Sequence, residues 1–362
     1  MTTTLPTESL LRRPALPARL GVAAGLAGQV ARRLAHVAPT VLTIVILNFF
    51  LLRLAPGDGA DVVAAEQGAA TAETMAQLRH HMGLDTSLLH QFLSYLGRLA
   101  HLDLGFSYRY DTSVVDIIAS RLPVTLVLMG ASYVLSLGFG VAFGAVMATW
   151  RGHWPDRALN GLCVALFSLP SFCVGILLIL VFSVALGWLP SDGAASLDPT
   201  LSGWGWFVDR ASHLAAPAIA LSTQSIAVYA RLTRTTMIDV RQQDFVRTAE
   251  AKGVPPFWVA LRHVLRNALI PVSTVAGLQL GALLGGAVAV EMVFSWPGIG
   301  RLSLDALQSR DYQTLLGVLL LSSFIVVLAN LAVDGLHWLL DPRSRRRHGT
   351  ARPDASRLEA AA

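Results

Sequence analysis

The chain has 362 residues, 54% hydrophobic and 14% charged, with a formal net charge of +5. That balance excludes an ordinary soluble domain and points to a polytopic membrane protein. Of the 28 basic residues, 27 are arginine, and the single lysine, Lys252, is followed by Gly253. A Walker A loop needs Gly-Lys followed by Ser or Thr, so a P-loop of the standard kind is excluded as well.

Residues 1–33 form a polar tail with Pro6, Pro14 and Pro17. Arg12, Arg13, Arg19, Arg32 and Arg33 are read as holding orientation at the membrane surface. The tail is too long for the basic end of an ordinary secretory signal, and no small-residue cleavage site follows. Residues 34–52 are therefore expected to be an uncleaved first span. Five further stretches lack Asp, Glu, Lys and Arg and are long enough to cross a bilayer, which takes about 20 residues. They are residues 122–150, 158–191, 211–230, 267–290 and 312–333. Period-2 alternation is absent, so the expected fold is all-α with six transmembrane helices.

Residues 55–121 make a long outer loop in which 71–82 and 88–102 have helical apolar spacing, predicting a small helical cap. His80, His81, His90 and His101 lie there without tight ligand spacing or an acidic partner set. They read as exposed or capping histidines, and no metal site is assigned. The second span carries Gly140 and Gly144 at the spacing for close helix contact. After the turn RGHWPDR, the third span contains Pro170, a point for a kink. Cys163 and Cys173 on that span would lie about 15 Å apart along a helix, too far to pair, and read as small buried hydrophobes. Trp204 and Trp206 suit an interfacial aromatic belt before the fourth span.

The polar loop 231–266 predicts a helix over 245–252 with Asp244 as its N-cap and Gly253 as its C-cap. Pro255 and Pro256 would start a second helix running into the fifth span. This is a helix–turn–helix on a membrane face. Its physical features leave two readings open, a structured loop without a partner and a docking surface. Ala249 and Gly253, four residues apart, are expected to share one shallow face. In the fifth span Gly277, Gly281 and Gly285 form two GxxxG steps, which serve packing within the chain or against a second subunit. Residues 344–362 read as a disordered tail.

Basic residues are distributed 20 to 7 in favour of the side holding residues 1–33, 151–157, 231–266 and the C-terminal tail. That bias puts both termini in the cytoplasm and makes the net charge a topology signal, with no implication of nucleic-acid binding. The span interiors hold only neutral polar groups: Asn48, Ser222, Gln224, Ser225, Gln279 and Asn330. These serve helix–helix hydrogen bonding, or line a solute path, for which Asn48, Ser222, Gln224 and Gln279 are the candidates. Ion-coupled carriers place ionisable residues inside their spans, whereas Glu291 and Asp334 stand at span ends. A membrane-embedded enzyme is disfavoured because no HExxH or GxSxG motif pairs a nucleophile with a base. A secondary transporter or channel remains the alternative class.

Several motifs, in order, carry a family resemblance over residues 34–343. RTAEAKG followed by LRHVLRNALIP resembles the "EAA" loop of membrane subunits of binding-protein-dependent ABC importers, in the form used by the dipeptide and oligopeptide permease branch. Arg247, Thr248 and Ala249 stand in the Glu-Ala-Ala places, with Gly253 in the glycine place. RLAPGDG resembles the RxxPGDP after the first span, with Gly59 for the proline. LDLGFSYRY resembles the entry to the second span. Glu291, Phe294, Pro297, Gly298 and Gly300 resemble a second family hallmark. Asn330, Asp334, Asp341, Pro342 and Arg343 resemble the closing pattern.

The resemblance implies a type I ABC importer permease fold in a bacterial or archaeal plasma (inner) membrane. It implies a coupling helix that docks on an ATPase, made of Asp244, Arg247, Thr248, Ala249, Glu250, Ala251, Lys252 and Gly253. It also implies a second homologous permease, two ATPase subunits that hold ATP and magnesium, and an extracytoplasmic binding protein. The chain itself would carry no cofactor and no catalytic residue. Di- or oligopeptides are the expected solutes, with glutathione or nickel as alternatives within the family; the nickel branch would give the outer-loop histidines a ligand role.

Overall fold

The structure is a computed structural model that describes residues 39–51, 71–81, 85–107, 109–196, 198 and 200–340. The tails, the whole RLAPGDG stretch, Asp341, Pro342 and Arg343 lie outside the described residues, as do the side chains of Asn330 and Asp334. The chain forms two units, residues 1–46 and 47–362. The first contributes the start of an apolar helix, α1 (Pro39–Leu51), in which Thr43 Oγ1 donates to Pro39 O at 2.8 Å. Everything below concerns the second.

Between α1 and the next long helix, α2 (Ala72–His81) and α3 (Leu88–Ala100) form where apolar spacing predicts them, each ending short of the expected boundary. Ser87 caps α3 by accepting from His90 N, and Phe92 meets Phe49 edge-on at 5.2 Å between ring centroids. A two-residue antiparallel ribbon, β1 (Phe106–Ser107) and β2 (Thr112–Ser113), is a small departure from the all-α expectation. It exists because its polar groups are taken up 200 residues away. Gln313 Oε1 accepts from Phe106 N at 3.0 Å, and Asp311 accepts from Ser107 Oγ at 2.5 Å.

Ser113 then caps α4 (Val114–Thr149), accepting from Asp116 N at 3.1 Å. The expected third span is not one helix. α5 (Trp154–Ser168) and α6 (Ser171–Leu178) meet at 105°, and α6 continues through a π-helical stretch, Ile179–Ala185. Leu169, the residue before Pro170, is extended at φ −90°, ψ 129°, as steric conflict with the proline ring requires.

The fourth predicted span lies inside a 39-residue helix, α7 (Gly203–Arg241). It packs against α4, α5, α6 and a later helix over Arg266–Val293, and its buried side chains are mostly small or hydroxylated: Ala216, Ala220, Ser222, Thr223, Ala227, Thr233. Small residues let backbones approach where no hydrophobic drive exists between helices in lipid. α7 thus sits at the middle of the bundle. The loop beyond it holds α8 (Asp244–Ala251) and the short α9 (Pro256–Trp258). A second π-helical stretch, Val259–Leu265, leads into α10 (Arg266–Val293), and α11 (Ile299–Gln308) and α12 (Tyr312–Leu340) complete the chain.

Among the described residues, three helical segments are long and apolar enough to cross a membrane: Val114–Thr149, Pro256–Val293 and Tyr312–Ala329. The bent α5–α6 pair makes a fourth if it is one span. α1 as described falls short of that length, and α7 lacks the apolarity, because helices rather than lipid surround it.

Candidate functional site: the helical hairpin and the Glu291 hub

The loop between α7 and α10 is built from its own sequence outward. Gln243, not Asp244, is the N-cap of α8, and it makes no side-chain cap bond; Asp244 begins the helix instead, where its negative charge suits the dipole. The C-terminus forms a Schellman motif. Gly253 N donates to Glu250 O at 2.9 Å and Val254 N to Ala249 O at 3.3 Å, with Gly253 at φ +77°. Pro255 caps α9 and Pro256 opens it, where a missing N–H costs least.

Val246 is fully buried in a cluster with Ala148 of α4, Met237 of α7, Val259 and Val264 of the π stretch, and Ala268 of α10. The hairpin is therefore packed onto three long helices at once. Ala249 is also buried, 6% exposed, which corrects the expected shared face. It turns toward the chain's own core, while a Cβ at Gly253 would meet nothing within 4 Å. What faces outward is apolar and aromatic. Phe257 is 68% exposed and Trp258 53%, their rings edge-on at 5.7 Å, and Phe245 and Leu261 are exposed beside them in sequence. Asp244, Arg247, Thr248, Glu250, Ala251 and Lys252 are exposed too. The Asp244–Arg247 pair at 3.8 Å is so open to solvent that it adds little.

Sequence reading missed two ties. Arg234 of α7 grips Asp156 through Nε at 2.7 Å and Nη2 at 2.9 Å, and Asp156 also accepts from Gly152 N at 2.9 Å. The only signal was one acid in the basic turn RGHWPDR. At the other end, Glu291 is fully buried with no basic side chain bonded to it. Thr125 Oγ1 donates to it at 2.7 Å and Arg301 N at 3.0 Å, while Thr125 accepts from Ile299 N at 2.8 Å. A carboxylate from α10 thus caps α11, with α4 supplying the second acceptor. Trp296 Nε1 donates to Val124 O at 3.2 Å, Gly193 N donates to Phe294 O at 2.9 Å, and Phe294 lies against Gly175 of α6. The Glu-Phe-PGxG turn joins α4, α6, α10 and α11 at the end of the bundle away from the hairpin.

The other predicted residues separate. A Cβ at Gly281 would lie 3.1 Å from Val326 Cγ1, so Gly281 serves packing on α12; Gly277 is buried, while Gly285 is exposed with open space beside it. Asn48 is buried, Ser222 is buried and donates to Ile219 O at 2.8 Å, Gln279 is half-buried and Gln224 is exposed. His80 Nδ1 meets Asp85 at 2.6 Å, and that hydrogen bond raises the imidazole's pKa above its ordinary value.

With this geometry in hand, comparison with known proteins is decisive. Residues 140–346 match the family described as binding-protein-dependent transport system inner membrane component, and residues 28–129 match the N-terminal part of such membrane components. The chain belongs to this family of ABC importer permeases. The permease is 42% identical over 316 residues to the glutathione transport system permease protein GsiC of Escherichia coli strain K12, covering 87% of this chain and 98% of the relative. The same figures hold for GsiC of Shigella dysenteriae serotype 1. A solved structure of the MetNI methionine ABC transporter in inward facing conformations shares the fold, with a TM-score of 0.51 at 17% identity, covering 63% of the permease and 97% of that chain.

Proposed function

We propose that the permease forms half of the solute path of an ATP-driven importer for short peptides, with glutathione, itself a tripeptide, among the candidates. The supporting observation for the solute class is the 42% identity, over nearly the whole of both chains, to a glutathione transport system permease. Two ATPase chains in the cytoplasm, a second homologous permease and an external binding protein complete the proposed machine. The 20-to-7 bias of basic residues puts both termini and the α8–α9 hairpin on the ATPase side of six spans.

Coupling follows from how the hairpin is built. Phe245, Phe257, Trp258 and Leu261 offer an exposed apolar patch outside the bilayer, the kind of surface a partner covers. Behind it, Val246 ties the hairpin to α4, α7 and α10. A push on the patch by a closing ATPase would reach three spans without an intervening flexible joint. Asp244, Arg247, Thr248, Glu250, Ala251, Lys252 and Gly253 form the polar border of that contact, and Ala249 its inner anchor.

The test is transport by the complex reconstituted in liposomes with its ATPase chains and binding protein. Labelled glutathione or a dipeptide should accumulate only with ATP on the hairpin side. ATP-independent accumulation would overturn the importer reading, and ATP-driven uptake that ignores both peptides would overturn the solute class. Replacing Phe257 and Trp258 together with alanine should lower ATPase retention during purification at least tenfold, as loss of aromatic anchors does at other interfaces. Full retention would remove the patch from the coupling role.

A further inference from the structure

α4 and α7 run side by side along a seam that leaves no room for side chains on one partner. A Cβ at Gly140 would lie 2.6 Å from Tyr229 Cβ, and one at Gly144 would lie 2.5 Å from Thr233 Cβ and 2.6 Å from Ala230 O. Tyr229 and Thr233, four residues apart on one face of α7, are both 0% exposed. Neither the Tyr229 hydroxyl nor Thr233 Oγ1 has a hydrogen-bond partner.

Neighbouring hydroxyls on the same two helices behave otherwise. Ser132 donates to Leu128 O, Ser136 to Tyr133 O, Thr223 to Ala220 O and Thr236 to Leu232 O. A helical threonine normally has a carbonyl three or four residues back within reach. Thr233 leaves that option unused. Buried hydroxyls without partners raise the free energy of the state that contains them, and side-chain hydroxyls in native interiors are mostly paired. Two orphans one turn apart, at a tight α4–α7 contact, are a concentrated cost.

We propose that the α4–α7 seam is a two-position contact of the transport cycle: shut as seen here, and in a second state shifted so that the Tyr229 and Thr233 hydroxyls are paired or hydrated. This rests on the importer reading, which requires the spans to alternate between states. Glycines suit the role, because a seam without interlocked side chains on α4 can move without unthreading rotamers. The Arg234–Asp156 pair, one residue beyond Thr233, holds the cytoplasmic end and acts as the pivot. The Glu291 hub ties the outer end of α4 to α10 and α11, so movement at the seam is passed to the outer turn. The orphaned hydroxyls keep the shut position from becoming too stable to leave.

Hydrogen exchange read by mass spectrometry on the assembled importer tests this, with nucleotide-free and ATP-trapped complexes compared. Amides over residues 138–146 and 226–234 should exchange at different rates in the two states. Thr233→Val, which keeps the shape and removes the hydroxyl, should favour the shut position about tenfold and slow exchange of both segments. Tyr229→Phe should act in the same direction, and either variant suffices if the other fails to fold. Ser136→Ala, whose hydroxyl is already paired, should leave the balance unchanged. Equal exchange of the seam in both states would overturn the proposal, as would Val and Phe variants that behave like Ser136→Ala. ATP hydrolysis stimulated by the binding protein, measured on the same preparations, reports separately on the importer reading.

Discussion

Gly253 turns the chain through φ +77° at the end of α8, into open space. The Gly253→Val variant therefore meets no clash, and its cost is conformational: a β-branched residue in the left-handed region, about 1–2 kcal/mol. That strain falls on the Schellman turn, which sets the angle between α8 and α9. The variant should insert at wild-type levels yet bind ATPase poorly or hydrolyse ATP without uptake. Normal uptake at equal protein level would reject the coupling role of this turn. Glu291 is the opposite case, a residue whose value is its contacts. Glu291→Ala leaves Arg301 N and Thr125 without their buried acceptor, at a cost of about 3 kcal/mol. Glu291→Gln, which keeps one acceptor, should lose less. Thermal melting in detergent reads both, and an unchanged midpoint for the alanine variant would show that the carboxylate does not hold the outer turn.

At the scale of elements, the three glycines of α10 divide by environment. Gly281→Leu should lower the stability of the permease itself, because Val326 of α12 stands 3.1 Å from the added Cβ. Gly285→Leu should leave stability alone and weaken assembly with the proposed second permease, since its neighbourhood is open. Melting of the isolated chain and size-exclusion of the complex separate the two, and identical behaviour of the variants would erase the distinction. Much at this scale was legible in sequence. The α8–α9 hairpin appears within one residue of expectation, because Gly253, Pro255 and Pro256 act locally. The Gly140–Gly144 contact was readable for the same reason. The break at Pro170 was legible as a kink but not as a 105° turn, whose size depends on what α6 packs against. α7 was under-read, since hydropathy reports contact with lipid and this helix touches other helices. Nothing local announced that Glu291 meets Thr125 across 166 residues, or that Ala249 turns inward.

For the whole molecule, the orientation expected from charge can be checked directly. In a background with Cys163 and Cys173 replaced by alanine, a cysteine at position 198 should react with an impermeant reagent from outside, and one at position 252 should not. Reaction in the reverse pattern would invert the topology and move the hairpin away from any cytoplasmic ATPase. The same experiment bears on the energetics of the bundle, because Trp204, Trp206 and the Arg210 guanidinium stacked 4.0 Å over Trp206 would then sit at the outer interface.

The π-helical stretch Val259–Leu265 carries a consequence for length. Val259 and Val264 are five residues apart, yet each is only 3% exposed and both join one cluster. In an α-helix five residues turn about 500°, which would point one of the two valines away from the core. Wider i→i+5 winding holds one residue more than an α-helix would and brings both to the same side. The stretch is thus a single-residue reserve between the hairpin and the membrane. Deleting exposed Arg262, which lies outside the apolar patch, should let it rewind as ordinary α-helix, with the two valines four apart and still facing inward. Deleting exposed Leu278 from the regular part of α10 offers no such slack and would rotate Leu283, Ala287 and Val290 by about 100° out of their cluster. Comparing protein levels and uptake of the two deletions tells whether this spare residue exists: the first should survive, the second should not.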